Sequence, residues 1–298
     1  MPVTEQTRAQ HFGGTDLLMF TMALIWAINF SVVKYATRIF DPVAFATLRV
    51  AVSAVVLGGI MLLKERPRLG RGTWIRLLLL GVAGHAVYQL CFVGGLARTR
   101  AGNAALIVAA APAFIAITSA LRGHERVKKL TFAGIALSIA GVGLVVIGSS
   151  ATAAGGESTM LGTILVFGGV LCWTVFTIGL QPYARAVSAT QIAAITILGG
   201  VVPLLLVTMP RLVATNWAAV GAGGWMALFY SSVVSTVVGY YLWYHGLKVL
   251  GATRTAVYTN LQPIIALGVA WIFLSEIPTA WQMIGAATIV SGIFLTRA

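Results

Sequence analysis

Residues 101–141 read AGNAALIVAAAPAFIAITSALRGHERVKKLTFAGIALSIAG, and residues 252–292, 151 positions later, read ATRTAVYTNLQPIIALGVAWIFLSEIPTAWQMIGAATIVSG. Aligned without a gap, they match Pro112 with Pro263, Glu125 with Glu276, Gly134 with Gly285 and Gly141 with Gly292. Apolar helices match one another by chance, so the weight lies on the proline, the glutamate and the glycines. Each stretch spells the same local structure: an apolar helix with a central proline, a short turn holding an acidic residue, and a helix with glycines seven apart. The register extends outward to Trp74 with Trp225 and Gly95-Leu96 with Gly246-Leu247. The chain therefore reads as two repeats, 1–150 and 151–298, within one membrane domain.

The solvent for both repeats is lipid. Of 298 residues, 59% are apolar and 9% charged, where a soluble domain carries about a quarter charged. Cutting at charge, Pro and Gly clusters gives ten apolar runs: 16–39, 42–63, 72–97, 101–121, 130–148, 160–181, 190–209, 217–245, 254–274 and 280–296. Each is long enough for a hydrocarbon core of roughly 30 Å. The net charge of +13 is a topology signal rather than a nucleic-acid footprint, because the basic residues cluster between the runs. With a cytoplasmic N-terminus, fourteen of the 20 Lys and Arg fall in inside loops and five outside, with Arg49 left within a span. Both termini are accordingly expected in the cytoplasm, in a bacterial inner membrane. Five spans per repeat insert the second repeat in the opposite sense. The loop of Glu125 carries four basic residues and that of Glu276 none, as inversion requires. The Gly- and Ser-rich stretch 149–159 is the outside linker. Residues 1–15 lack the apolar core and cleavage site of a signal peptide.

Polar groups deep in spans are the functional candidates, because lipid does not offset their desolvation. His85 and Gln89 lie at i, i+4 in span 3, a spacing that puts both on one helix face. They either offer donors and acceptors to a zwitterion or join neighbouring helices. Trp26 and Trp173 sit well inside spans 1 and 6, at corresponding places in the two repeats. Either they wall a solute cavity or they pack as bulk. Met22 and Asn29 share the Trp26 stripe. Ser231 with Ser235, and Tyr258 with Gln262, are further i, i+4 pairs, open to cavity lining or to local carbonyl bonding. Asn103 is a weaker candidate near the start of span 4. Trp74, Trp217, Trp243 and Trp281 fall near span ends, as an interfacial belt does.

The remaining singled-out residues read as structural. Arg49 is expected to snorkel outward or to meet helix-end carbonyls. Pro112 and Pro263 should bend their helices, as kinks or gates. Glu125 and Glu276 should cap the helices that follow. Gly134 with Gly141, and Gly285 with Gly292, permit close packing, within the chain or between protomers of a homo-oligomer.

Taken together, Trp26, Arg49, Ala104–Ile107, Pro112, Glu125 and Gly134 in one half, and Trp173, Ala256, Pro263, Glu276 and Gly285 in the other, resemble the EamA-type repeat of the drug/metabolite transporter superfamily. No Arg in the second half matches Arg49. Within the superfamily, His85, Trp26 and Trp173 are most similar to the aromatic amino-acid exporters of the YddG type. The resemblance implies export of aromatic and other neutral amino acids through a cavity bounded by spans 1, 3, 4, 6, 8 and 9.

Several classes are disfavoured. No GxxxxGK[ST] loop is present, so ATP-driven pumping has no basis. All seven acidic residues lie at span ends or in loops, which argues against a cationic-drug/proton antiporter. An intramembrane enzyme would need a nucleophile with its base or a metal site; no GxSG or HExxH appears, and Cys91 and Cys172 form no ligand pair. No metal or cofactor is expected. A nucleotide-sugar or other metabolite carrier of the same superfamily is the runner-up, with only Arg49 available for phosphate.

Overall fold

The computed structural model describes residues 13–65, 69–121, 129–151, 159–183, 186–250, 255, 258, 259 and 261–297. Among them every regular element is helical: α1 (Gly14–Ala36), α2 (Pro42–Lys64), α3 (Arg71–Gly81 continuing through Val82–Val87 to Tyr88–Leu96), α4 (Ala101–Val108), α5 (Ala111–Leu121), α6 (Lys129–Ala151), α7 (Met160–Leu180), α8 (Ala189–Ala214), α9 (Ala222–Phe229 continuing through Tyr230–Val238 to Gly239–Val249), α10 (Gln262–Leu274) and α11 (Ala280–Arg297), with a 3-10 turn at Trp217–Ala219. Six helices among the described residues are long and apolar enough to cross a membrane: α1, α2, α3, α7, α8 and α9. Shorter apolar helices begin at Ala101 and Gln262. Leu63, Leu206, Val213 and Phe273 are largely exposed, which a hydrocarbon surround accepts and water does not.

Helix starts follow from local chemistry. The Asp41 carboxylate accepts from the Val43 and Ala44 N–H groups at 3.0 Å, and Pro42 occupies the first turn of α2, where its missing N–H is no loss. Thr159 and Ser188 do the same for α7 and α8, accepting from Gly162 at 3.0 Å and Gln191 at 3.1 Å.

The prolines act differently from the expected mid-helix bends. The run 101–121 is two helices separated at Ala109–Ala110, and Pro112 is the second residue of α5. Pro263 likewise stands at the start of α10. Proline cannot donate to the carbonyl four residues back, and its ring clashes there. The helix restarts at the proline instead of bending through it.

Contacts recur between the halves. α1 packs on α10 and α9, while α7 packs on α5, α4 and α3. α2 packs on the Tyr230–Val238 turns, and α8 on the Val82–Val87 turns. α2 meets α8 and α6 meets α11. In the last pair a Cβ on Gly141 would lie 2.7 Å from the Ile289 side chain, and one on Gly285 2.5 Å from Val145. These glycines admit the neighbouring helix within the chain itself. Gly134 and Gly292 are also buried. Glu125 lies outside the described residues.

Glu276 is not the cap of α11. Thr279 is, its hydroxyl accepting from the Gln282 N–H at 3.2 Å while the Gln282 side chain accepts from the Thr279 N–H at 2.8 Å. Two residues separate Glu276 from Thr279, and that places its carboxylate against α4 instead, 3.5 Å from the Gly102 N–H and 4.0 Å from the Arg100 guanidinium. Burial pushes its carboxyl pKa up, against the opposing pull of Gly102, Lys34 and Arg100.

Candidate functional site

Where α1, α2, α3, the α4–α5 break, α7, α9 and the start of α10 converge they leave a cavity of about 100 Å³, ample for several waters at the ~10–15 Å³ each requires. Part of its wall consists of register-equivalent residues. Gln89 and Tyr240, Phe92 and Trp243, Val108 and Thr259, and Ala111 and Gln262 all line it, each pair 151 positions apart. Trp26 and Trp173, 147 apart, line it too.

Seven of the lining residues are aromatic: Trp26, Phe30, Tyr88, Phe92, Trp173, Tyr240 and Trp243. Trp26 meets Trp173 edge to face at 6.3 Å, and Tyr240 stacks on Trp173 at 5.8 Å. Trp243 lies 5.6 Å from Trp26. Tyr88 lies 5.6 Å from Trp173 and stacks on Phe92 at 5.6 Å. Contacts of this kind contribute about 0.5–1.5 kcal/mol each beyond the area they bury. The Trp26 Nε1–H donates to the Ser235 carbonyl at 3.0 Å. Gly239 makes that approach possible, since a Cβ there would sit 2.3 Å from the indole nitrogen.

Two π-helical turns shape the wall, Val82–Val87 in α3 and Tyr230–Val238 in α9. Such turns are rare and cluster at functional sites. They undo the i, i+4 faces expected from the sequence, because a π-turn is wider than four residues. In α3, Gln89 faces the cavity while His85 lies behind it. His85 Nε2 sits 3.2 Å from Thr196 Oγ1, which itself donates to the Ile192 carbonyl at 2.7 Å. The imidazole must therefore donate from Nε2, a tautomer assigned from this network. Phe176 and Tyr240 pack on its ring. In α9, Ser235 lines the cavity, whereas Ser231 reaches it only through Asn29, donating to Asn29 Oδ1 at 2.9 Å. The Thr236 hydroxyl donates five residues back, to the Ser231 carbonyl, at 2.9 Å.

Of the other candidates, Asn29, Gln262 and Pro112 line the cavity. Met22 does not; it is fully buried in the packing behind Trp26. Tyr258 turns away, its hydroxyl hydrogen-bonded to the Asp16 carboxylate. Asn103 is joined to α11, accepting from Gln282 Nε2 at 2.6 Å.

Arg49 departs furthest from expectation. It neither snorkels nor meets helix-end carbonyls. It is 3% exposed, lines the cavity, donates from Nη1 to Gln89 Oε1 at 3.2 Å, and lies 6.0 Å over the Phe92 ring. Arg49 stands on the buried side of α2, which packs on α8 and the α9 π-turns, while Val55 and Leu62 of the same helix are exposed.

Tyr88, Phe92, Tyr240 and Trp243 were not among the sequence candidates. The signal for two of them was present: moving Gln89 and Phe92 by the repeat offset lands on Tyr240 and Trp243. Trp243 had been assigned to the interfacial belt because its run was ended at residue 245, but α9 continues to Val249.

The sequence pattern of the EamA-like transporter family matches the chain twice, over residues 14–147 and 160–298. Among curated relatives, the uncharacterized transporter YyaM of Bacillus subtilis is 24% identical over 279 residues, 93% of this chain and 91% of that protein. An uncharacterized transporter of Archaeoglobus fulgidus is 28% identical over 294 residues, 95% of this chain and 97% of that one. A protein of Streptantibioticus cattleyicolor named a probable terminal-alkyne amino-acid exporter is 24% identical over 288 residues, covering 91% and 92%. A solved crystal structure shares the fold, with TM-score 0.67 and 19% identity over 94% of this chain and 95% of that one. With exposed apolar helix faces around a cavity lined in part by aromatic rings and the family pattern in both halves, the chain belongs to the EamA-like transporter family and is a multi-pass membrane transporter.

Proposed function

We propose that the protein is an exporter or facilitator of aromatic and other neutral amino acids, of the YddG type, carrying them through this cavity by alternating access. The observation that carries the reading is the wall itself: rings that stack on an aromatic side chain, interrupted by Arg49, Gln89, Asn29 and Gln262 for the polar end. The architecture proposed with it is ten spans in two inverted five-helix repeats, 1–150 and 151–298, in a bacterial inner membrane with both termini cytoplasmic. The two separate family matches, the recurrent contacts between halves and the paired wall residues support it. Inverted repeats place a solute site near the bilayer midplane, where rocking one half against the other exposes it to either side. The exporter named for its amino-acid cargo in Streptantibioticus cattleyicolor supports the solute class.

Uptake into proteoliposomes of labelled Phe, Thr and Met, against a nucleotide sugar and with or without a pH gradient, tests this. Saturable amino-acid flux that needs no pH gradient is the expected result. Flux of the nucleotide sugar alone would sink the amino-acid reading, and a reporter fused after Ala298 that is active in the periplasm would sink the topology.

A further inference from the structure

We propose that Arg49 is the anion-recognition point of the cavity and that the carboxylate, not the ammonium, is what the protein requires of its solute, so that aromatic monocarboxylates without an amine are carried too. The inference rests on the reading of the cavity as the transport site, and it deepens that reading.

Among the described residues that bound the cavity, Arg49 alone carries a charge. Its Nη1 has a neutral partner, Gln89, and its buried Nε has none. A buried guanidinium without a counter-charge destabilises the fold. An anion entering the cavity supplies what is missing. The fork of a guanidinium fits a carboxylate with two parallel hydrogen bonds, and the Trp26, Trp173 and Tyr240 rings are placed to take the apolar remainder of such a solute.

Nothing equivalent awaits an ammonium. Among the described residues no carboxylate lines the wall, and two of its amide oxygens already accept bonds, Asn29 Oδ1 from Ser231 and Gln89 Oε1 from Arg49. Charge-assisted bonds are roughly twice as strong as neutral ones, so the acid end of an amino acid contributes more to recognition than the amine end. One cation also matches one carboxylate. A nucleoside diphosphate would bring more negative charge than the single guanidinium compensates.

The test is binding to detergent-purified protein by calorimetry, with phenylalanine, 3-phenylpropionate, phenethylamine and UDP-glucose as probes, on wild type, Arg49→Gln and Arg49→Lys. Phenylalanine and 3-phenylpropionate should bind within about tenfold of each other and phenethylamine at least about tenfold more weakly, the discrimination that one charge-assisted contact supplies. Arg49→Gln should lose that discrimination and both carboxylates together, yet melt at or above the wild-type temperature, because it removes a buried unpaired charge. Arg49→Lys keeps the charge without the fork and should retain weakened carboxylate binding; it decides the matter should Arg49→Gln fail to fold. Phenethylamine binding as tightly as phenylalanine, or carboxylate binding unaffected by either substitution, would overturn the inference and leave the amino-acid reading standing. UDP-glucose binding more tightly than phenylalanine, or no binding by any probe, would overturn both.

Discussion

The π-turns of α3 and α9 occupy the same register in the two halves, yet they face opposite ways in chemistry. His85 and Thr236 are 151 positions apart. Thr236 lies on the cavity wall, whereas His85 is turned behind it onto Thr196 of α8. The helices packed on these turns differ in the same sense: α2 brings Arg49 to the cavity, and α8 brings Thr196, 147 positions later, to His85. Backbone paths and contacts are shared between the halves, but the polar groups are not. The first half contributes Arg49, Asn29 and Gln89, the second Gln262 together with Ser235, Thr236 and Thr259. The two segments that match the family pattern thus share packing contacts, while among the described residues the single charge on the cavity wall belongs to the first of them.

The sharpest way to break this comparison is at the closest contact. A Cβ on Gly81 would lie 1.9 Å from the Thr196 carbonyl oxygen, a backbone atom that no rotamer change can move aside. Gly81→Ala should therefore cost at least the upper end of the ~1–3 kcal/mol seen for overpacking, read as a collapse of the melting temperature in detergent. Its counterpart Ser232 already holds a side chain, and Ser53 Oγ donates to the Ser232 carbonyl at 2.9 Å; Ser232→Ala should cost no more than ~1 kcal/mol. Similar losses at the two positions would mean that the halves pack alike.

A smaller effect is expected at Thr196→Val. It takes the acceptor from His85 Nε2 and leaves both ring nitrogens without a partner, since Nδ1 already has none among the described residues. The cost should be about 1–3 kcal/mol, with phenylalanine flux in proteoliposomes unchanged. A fall in flux without a fall in melting temperature would put His85 on the transport path.

The smallest effect belongs to Glu276. Its carboxyl pKa is raised by burial, so the native state holds that proton more tightly than the unfolded chain does. The protonated form is the stabilised one; its contribution is fully present below the ordinary carboxylate range and is lost as pH rises through the raised native value. Glu276→Gln, which mimics the neutral form, should raise the melting temperature slightly at neutral pH and should flatten the wild-type rise on acidification. A large loss at neutral pH would mean that the contact with Arg100 outweighs burial.

How much of this the sequence carried depends on what each feature rests upon. The long apolar helices were legible, because hydropathy acts locally, but not all their ends: the run 101–121 is two helices, and α9 continues past residue 245 to Val249. Trp26, Trp173, Gln89, Asn29 and Gln262 were found because they are polar or bulky where lipid favours neither. The facing of His85 and Ser231 was not legible, since an i, i+4 argument assumes an α-turn and a π-turn depends on tertiary packing. Arg49 was misplaced for a related reason. Whether a cation snorkels depends on which side of its helix it stands, and α2 carries buried Arg49 on one side and exposed Val55 and Leu62 on another within one apolar run. Pro112 and Pro263 were correctly singled out, but whether a proline bends a helix or restarts one is decided by the residues before it.

The crowding of Trp26, Trp173 and Trp243 around one void has an optical consequence. Indoles separated by 5.6–6.3 Å couple their transitions, which gives a fixed cluster a signed near-ultraviolet circular dichroism band and mutual quenching of emission. Any molecule that wedges between those rings, or any rocking of α1 against α7 and α9, changes both. The protein therefore carries an intrinsic spectroscopic gauge of whether its interior is filled.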